Sequence, residues 1–429
     1  MGSILIQGGR LIDPASGRDE TADIVIEGGR VVGVGPGLRA PDGAEVIDAR
    51  EKIVAPGLID PHVHLREPGH EHKETIASGT AAAVEGGFAT VCCMPNTSPA
   101  LDSPAALALV RERASKGGAC RVFAVCAATV GRAGVSLTDI AALAEAGAVG
   151  VSDDGDALAS SAVMHRALEQ TRDAGLAFMQ HCQDPELTRA SAMHAGEVAL
   201  RLGLPGWPSV AEELIIERDV RLNRRIGCRY HVQHLSCAGS VEIVRRARAE
   251  GQPVSAEASP HHLLLTHETC EGFDTNAKMN PPLREQADVD AVRQGVADGT
   301  ITILATDHAP HTPEDKSAPF EQAPFGIIGL ETALALYAEA LVHSGLIGWP
   351  RLIELMTINP ARLCNLDALG LGSLHEGGPA DVTIIDPDAR WTIDEGAIKS
   401  KSRNTPFLGR QARGRAVGVI VAGEIRLRR

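Results

Sequence analysis

Residues 53–69 read Ile-Val-Ala-Pro-Gly-Leu-Ile-Asp-Pro-His-Val-His-Leu-Arg-Glu-Pro-Gly. The apolar run Ile53–Ile59 predicts a buried β-strand, and polar residues follow it from Asp60 onward. His62 and His64 are two positions apart, so both imidazoles point to the same side of an extended strand. Two imidazoles placed in this way can bind one metal ion, although an isolated pair is also typical of ordinary surface histidines.

Seven further apolar runs follow, and with the first they give eight predicted strands. Stretches with helical spacing separate them, for example Ala105–Lys116 and Ser240–Glu250. A repeated strand-then-helix order predicts a parallel sheet, and eight such units favour a (β/α)₈ TIM-like barrel over residues 55–365. An open doubly wound sheet is the alternative. The eight runs are Ile53–Ile59, Phe88–Met94, Arg121–Ala127, Val149–Ser152, Leu176–Gln180, Arg229–Val232, Val254–Ala258 and Ile301–Ala305.

Both ends of the chain differ from this middle part, because they are rich in strands. Within Ile4–Ile12 and again within Ile24–Val32, short β-branched runs flank a Gly-Gly pair, a pattern typical of a β-hairpin. Two similar runs occur near the C-terminus. We therefore expect residues 1–54 and 366–429 to build one small composite β domain beside the barrel.

The composition narrows the class of protein. The 429 residues carry a formal net charge of −14, and only 3% of them are aromatic. An acidic chain with few stacking side chains argues against nucleic acid as a partner. No apolar run approaches the roughly 18 residues that span a bilayer, and the N-terminus lacks the features of a secretory signal. Nine scattered cysteines without a CxxC pair favour a reduced, cytoplasmic protein with buried thiols.

The polar residues that follow the strands would meet in one pocket, since the carboxyl ends of barrel strands share one face. His181, His234 and Asp307 stand at three of these ends and would join His62 and His64 there. Imidazole and carboxylate ligands without a cysteine cluster point to Zn²⁺ or a similar divalent cation. They also suggest a catalytic site with an open coordination position.

Carboxylates add two further expectations. A second cation would need a bridging anion, which the pair Asp153 and Asp154 could supply; a loop pair that only satisfies backbone amides is the alternative. Asp307 has the profile of a general base, because it is a carboxylate beside a metal that lowers the pKa of water.

Arg66 is suited to bind the carboxylate of a substrate through both of its guanidinium prongs. A surface salt bridge with Glu67 is the alternative. Residues 312–326 form a long polar loop after the eighth run, either a lid or a plain connector. Three more polar residues in strand-end or loop positions could complete substrate recognition: Asn96, Asn280 and His311.

The segment His62–Gly69 resembles the signature of the cyclic amidohydrolases, the group of dihydroorotases, allantoinases and hydantoinases. Further motifs narrow the resemblance to the dihydroorotases of the long bacterial class, and it covers essentially the whole chain. Hydantoinases and allantoinases bridge their metals with a carboxylated lysine, whereas the stretch Gly147–Asp156 contains no lysine. The motifs that narrow the resemblance to the dihydroorotases are Met94-Pro-Asn96, Ser152-Asp-Asp-Gly155, Pro260-His-His-Leu263, Asn280-Pro-Pro-Leu-Arg284, Ala305-Thr-Asp-His-Ala-Pro-His311 and Lys401-Ser-Arg-Asn-Thr-Pro-Phe407.

The resemblance implies a set of site residues. Asp154 would bridge two zinc ions, and Asp307 would be the catalytic acid and base. Phe325 and Gly326 would contact the substrate through their backbone. The implied metal ligands are His62, His64, Asp154, His181, His234 and Asp307, and the implied substrate-binding residues are His64, Arg66, Asn96, Asn280, His311, Phe325 and Gly326.

The activity implied is the zinc-dependent, reversible cyclisation of N-carbamoyl-L-aspartate to (S)-dihydroorotate and water, in pyrimidine biosynthesis. Another cyclic amidohydrolase activity, on allantoin or a hydantoin, is one alternative, but those compounds lack the side carboxylate that Arg66 would bind. An inactive scaffold for aspartate transcarbamoylase is the other, and it is disfavoured because every ligand position is filled. The implied partners are the small-molecule substrate, aspartate transcarbamoylase and further copies of the chain.

Overall fold

The computed structural model describes residues 2–429 as a barrel with a second sheet beside it. The barrel strands are all parallel and lie in chain order. A bridge between Val63 and His308 closes the ring between the first strand and the segment after the eighth. The predicted (β/α)₈ barrel is thus confirmed, and an open sheet is excluded. The strands are Leu58–Val63, Phe88–Cys93, Arg121–Cys126, Ala148–Val151, Ala177–Gln180, Arg229–Val232, Val254–Ala258 and Ile303–Leu304.

Helices follow the barrel strands and pack around their outside. Capping residues fix where several of them begin: Thr75 and Ser78 form a capping box, and Ser103 caps the helix that starts at Pro104. The helices include Ile76–Gly86, Pro104–Gly117, Ile140–Glu145, Ser161–Asp173, Val210–Ile226, Ala238–Ala249, Gln286–Ala297, Ala333–Tyr337 with its π-helical extension Ala338–Val342, Trp349–Met356 and Ile358–Leu363. Short elements include the helices Glu197–Leu202, Pro260–Leu264 and Pro313–Lys316 and the paired strands Met193–His194 and Gly206–Trp207.

The apolar run at residues 53–59 is divided between the two sheets. Ile53–Pro56 is a strand of the second sheet, whereas the first barrel strand is Leu58–Val63. The prediction of one strand over the whole run was therefore wrong. Both segments are buried throughout, so hydrophobicity carries no sign of the break. The break falls at Gly57, where a β-carbon would lie 2.5 Å from Cβ of Ala89.

The second sheet is built from both ends of the chain, which confirms the composite β domain predicted from the sequence. Ile53–Pro56 lies in its middle, with Ile4–Asp13 on one side and Val382–Thr392 on the other. Neither end could therefore form this sheet alone. Its eight strands are Ile4–Asp13, Arg18–Glu27, Arg30–Gly35, Glu45–Asp48, Ile53–Pro56, Val382–Thr392, Gln411–Val421 and Glu424–Arg428.

The two Gly-Gly sequences behave differently. Gly28-Gly29 turns the chain between two antiparallel strands, so the hairpin predicted there is confirmed. Gly8-Gly9 lies inside the single strand Ile4–Asp13, where the hairpin prediction was wrong. At this point the strand passes from one parallel neighbour to the next, and its register shifts. Gly8 adopts a φ of +72° and donates from its amide to Asp23 Oδ1 at 2.8 Å, a bulge conformation that glycine permits.

Within residues 2–429, no helix combines the length and the apolar character needed to cross a membrane. All nine cysteines are free and buried.

Candidate metal centre and active site

A cavity of about 320 Å³ opens at the carboxyl ends of the barrel strands. Active sites of β/α barrels form at this face, because the loops that follow all eight strands converge there. His62 is fully buried beside the cavity. The other predicted site residues all line it: His64, Arg66, Asn96, Asp154, His181, His234, Asn280, Asp307, His311, Phe325 and Gly326.

Asp154 lies between two pairs of imidazoles. Its Oδ1 is 3.3 Å from His62 Nε2, and its Oδ2 is 3.5 Å from His64 Nε2. On the other side, Oδ1 is 3.6 Å from His181 Nδ1 and 3.9 Å from His234 Nε2. Burial favours the neutral acid, but the imidazoles around it hold the pKa of Asp154 well below its usual range. An ionised carboxylate thus faces four imidazoles from three other strand ends.

His62 is oriented by a buried carboxylate that the sequence analysis did not identify. Its Nδ1 lies 2.5 Å from Glu257 Oε1, which leaves Nε2 to face Asp154 and Asp307. Although Glu257 is fully buried, His62 and His231 lower its pKa to about 2. When a carboxylate bonds one ring nitrogen of a histidine in this way, it fixes the orientation and the tautomer of the ring, as is typical of histidines that bind metals through the other nitrogen. The available signal was a single charged residue inside the apolar strand Val254–Ala258.

Asp307 completes the other side of the cluster. Its Oδ1 is 3.0 Å from His64 Nε2 and 3.5 Å from His62 Nε2. Burial opposes ionisation of this carboxyl, yet the imidazoles of His62, His64 and His234 lower its pKa well below the usual range. Its backbone has a φ of +49°, which is uncommon for a residue with a side chain and typical of functional positions.

The two neighbouring aspartates after the fourth strand have different environments. Asp153 accepts hydrogen bonds from the backbone amide and the hydroxyl of Thr129, so its carboxylate supports the loop. Asp154 faces the imidazoles. The alternative that these aspartates only satisfy groups of the loop therefore applies to Asp153. Of the two, only Asp154 is placed to meet a cation.

The donor atoms of this cluster fit a divalent cation. His62 Nε2 is buried and has no hydrogen-bond partner, although buried polar atoms are rarely left without one. Potential ligand atoms of His62, His64 and Asp307 lie within 4.8 Å of one another, and so do those of His62, Asp154 and His234. Nitrogen and carboxylate oxygen donors without thiolates suit zinc and similar divalent ions.

The part of the cavity beyond the metal cluster is cationic. Arg66 lies past the end of the first strand with a φ of +59°, and its guanidinium is 3.5 Å from His311 Nε2. Burial lowers the pKa of Arg66 to about 10, so it remains charged at neutral pH. Glu67 does not pair with Arg66, because it accepts from the Ile76 amide and faces Arg113. The guanidinium is therefore directed to the cavity and not to a surface salt bridge.

Asn96 contacts the imidazole and carboxylate cluster directly, and Asn280 contacts it through Gln183. Asn96 accepts at Oδ1 from His64 Nδ1 at 2.9 Å, and its Nδ2 donates to Asp154 Oδ2 at 3.3 Å. Asn280 donates to Gln183 Oε1 at 2.9 Å, and the same oxygen lies 2.9 Å from His181 Nε2. Gln183 was not predicted, since it stands three residues beyond its strand in a loop without a recognisable motif.

Gly326 lines the cavity, but its backbone groups are already bonded within the protein. Its amide donates to the Lys278 carbonyl at 2.9 Å, and its carbonyl accepts from Asn404 Nδ2 at 2.9 Å. A β-carbon at this position would lie 2.6 Å from the Ala309 carbonyl oxygen and 2.7 Å from His311 Cδ2. Gly326 therefore shapes the wall by its lack of a side chain.

Comparison with known proteins identifies the family. A model of the dihydro-orotase-like family matches residues 51–240. The chain is 46% identical over 423 residues to the dihydroorotase of Trichlorobacter lovleyi, an alignment that covers 99% of both chains. It is 47% identical over 423 residues to the dihydroorotase of Solibacter usitatus, covering 99% of this chain and 97% of that one.

The chain belongs to the dihydroorotase family. Solved structures of similar fold include the L-hydantoinase (dihydropyrimidinase) of Arthrobacter aurescens, with 25% identity and a TM-score of 0.87 over 100% of this chain and 96% of that chain. The D-hydantoinase (dihydropyrimidinase) of a Thermus species gives 26% identity and a TM-score of 0.84, covering 99% and 95%.

Membership of the dihydroorotase family makes the chain a hydrolase of cyclic amides. None of its nine cysteines lines the described cavity. The cavity of this dihydroorotase family member therefore offers imidazoles, carboxylates and a guanidinium, but no thiol.

Proposed function

We propose that the enzyme interconverts N-carbamoyl-L-aspartate and (S)-dihydroorotate, the ring-closing step of pyrimidine biosynthesis, with zinc as its metal. The observation that carries the proposal is one cavity with Asp154 between two imidazole pairs, Asp307 beside them and Arg66 beyond. The first two features suit hydrolysis of an amide, and the third suits a substrate that carries a carboxylate.

Six side chains would hold the metal: His62, His64, Asp154, His181, His234 and Asp307. The central carboxylate of Asp154 supports a site for two ions, since a shared anion offsets the repulsion between two cations. Bound there, zinc would polarise the amide carbonyl and lower the pKa of water toward about 7, so that hydroxide is available at neutral pH.

The remaining steps belong to side chains of the protein. Arg66 would bind the substrate carboxylate and so place the ring amide against the metal cluster, with Asn96, Asn280 and His311 completing its orientation. In hydrolysis, Asp307 would accept a proton from the attacking water as oxygen adds to the ring carbonyl. It would then give that proton to the ring nitrogen as the carbon–nitrogen bond breaks. Ring closure is the same sequence reversed.

Two structural features favour this activity over a hydantoinase or allantoinase activity. The carboxylate Asp154 occupies the centre of the cluster, and residues 147–156 offer no lysine for carboxylation. Arg66 offers a guanidinium that hydantoin and allantoin, which lack a side carboxylate, would leave unpaired. Such an unpaired buried charge disfavours binding.

A substrate comparison tests the proposal. The zinc-loaded chain should hydrolyse dihydroorotate with a kcat/KM at least 100-fold higher than for hydantoin or allantoin, on the order of the selectivity that a buried charged contact provides. Higher activity on either uncharged ring would replace the proposal with that alternative. Absence of activity on all three, with metal bound, would favour a scaffold role.

Three further expectations remain proposals. Nine free, buried thiols suit the reducing cytoplasm. Assembly with aspartate transcarbamoylase, or with further copies of the chain, would be tested by light scattering of the chain alone and after mixing with that enzyme. A mass equal to one chain for the chain alone, and no species heavier than the separate components in the mixture, would reject both assemblies.

A further inference from the structure

The wall of the cavity that contains Phe325 and Gly326 is held by buried polar side chains from outside residues 320–326. Five carbonyl groups among residues 320–326 accept hydrogen bonds from two lysine ammonium groups. Lys278 is 2% exposed and Lys316 is 7% exposed, which is unusual for lysine. Burying a charge is costly unless it is fully hydrogen-bonded, so both positions need an explanation.

Lys278 satisfies that requirement completely. Its Nζ lies 2.6 Å from the Phe320 carbonyl, 2.7 Å from that of Ala323 and 3.0 Å from that of Glu321. An ammonium group has three N–H donors and no acceptor, so it can donate one hydrogen bond to each of the three carbonyls. A neutral amine has two N–H donors and would leave one carbonyl without a hydrogen bond. The same Nζ is 4.5 Å from the ring centroid of Phe325, within range of a cation–π contact.

Lys316 and Asn404 converge on the next residues. Lys316 Nζ donates to the Pro324 carbonyl at 2.9 Å and to the Gly326 carbonyl at 3.2 Å. Asn404, from the C-terminal segment, donates through Nδ2 to the same Gly326 carbonyl and to that of Ala309, both at 2.9 Å. Its Oδ1 accepts from the His311 amide at 3.1 Å. One amide side chain thus ties together the two loops that carry His311 and Gly326.

We propose that Lys278, Lys316 and Asn404 are positioning residues that fix residues 320–326 against the substrate cavity, and that this arrangement sets affinity for the substrate. The inference rests on the proposed function for its kinetic part. An open loop would remove the wall formed by Phe325 and Gly326 without touching the metal cluster. Loss of their contribution should therefore raise KM while kcat at saturation is largely kept.

Two variants from different elements test this. Lys316→Met keeps the aliphatic length and removes the ammonium. Asn404→Asp keeps the oxygen that accepts from the His311 amide and removes the donor to the Gly326 and Ala309 carbonyls. Each should raise KM for dihydroorotate at least about tenfold, change kcat less than about threefold and leave metal content unchanged. Lys116→Met, at an exposed ion pair with Glu112, is the matched control and should change nothing.

A second readout does not depend on the substrate. Cleavage after Glu321 by a glutamate-specific protease should be at least about tenfold faster in both variants than in the parent chain, since the loop opens locally. Because both side chains bind the Gly326 carbonyl, the KM increase of the double variant should be smaller than the product of the single increases. If Lys316→Met does not fold, Asn404→Asp decides alone.

Unchanged cleavage and unchanged KM in folded variants would overturn the inference. Equal losses of kcat, metal and thermal stability would also overturn it, because they would indicate a general structural role. If dihydroorotate is not a substrate at all, the proposed function fails, whereas the cleavage assay still decides whether the loop is held in this way.

Discussion

Asp307 Oδ1 lies 3.0 Å from His64 Nε2, although the two residues are 243 positions apart in the chain. The contact exists because the barrel closes between its first and last strands, through the bridge from Val63 to His308. Closure therefore brings a carboxylate from the last strand end to the histidine pair of the first. The fold and the cluster are consequences of the same topology.

Removing the metal should abolish activity. Chelation should inactivate the enzyme, and added zinc should restore it with about two equivalents bound per chain. His64→Ala should lose metal and activity together, measured by elemental analysis and assay on the same sample. His165→Ala, on the exposed face of the helix Ser161–Asp173, should lose neither. Full turnover in rigorously metal-free protein would refute the metal site.

Metal uptake should release protons. In the metal-free protein, burial opposes protonation of His62, but Glu257, Asp154 and Asp307 raise its pKa well above the ordinary value. The raised pKa favours the doubly protonated ring, and the proton on Nε2 must leave before that atom can bind a cation, so zinc affinity should rise with pH until His62 is neutral. Calorimetric titrations of zinc in buffers of different ionisation enthalpy should show at least one proton released. Identical heats in all buffers would contradict this.

Glu257→Gln should weaken metal binding without touching a ligand. The carboxylate holds His62 through a contact of 2.5 Å and also meets His231 Nε2 at 2.9 Å, so the amide would lose the charge that orients the ring. Affinity for zinc should fall by about 10- to 100-fold, as competition with a chelator would measure. Glu169→Gln, at an exposed helical position, serves as the control. An unchanged affinity in folded Glu257→Gln protein would show that the contact has no such role.

Arg66→Lys should impair the reaction despite keeping the charge. The change removes the two-pronged contact with the substrate carboxylate and should cost about 2 kcal/mol in kcat/KM for dihydroorotate. Slow hydrolysis of an uncharged cyclic imide should scarcely change. Equal losses on the two substrates would assign Arg66 a structural role instead.

Much of the fold and the site follows from the sequence, because strand ends in a parallel barrel share one face. His181, His234 and Asp307 could be placed together from their positions after apolar runs alone. The strand break at Gly57 could not, since two different sheets bury both sides of it equally. The position of the Arg66 side chain could not be derived from strand alternation either, because the first strand ends at Val63 and Arg66 has a positive φ.

The residues that support a loop or a candidate metal ligand, without lining the cavity themselves, were not predicted for a common reason. Glu257, Lys278 and Asn404 bind backbone groups or the far side of a ligand, and such contacts depend on distances that no local pattern encodes. A charged residue within a buried strand, as at Glu257, is the exception that the sequence does mark.

The most direct test of the account measures the pH dependence of both reaction directions in the parent enzyme and in Asp307→Asn, with metal content determined on the same samples. Hydrolysis needs the ionised carboxylate and ring closure needs the protonated one, so hydrolysis should rise with pH and ring closure should fall. One apparent pKa should govern both, and it belongs to the coupled metal and carboxylate assembly. Asp307→Asn should lower turnover in both directions by at least about 100-fold with zinc still bound. Restoration of activity by excess zinc, with the mirrored profiles intact in the variant, would contradict the account and leave Asp307 as a metal ligand only.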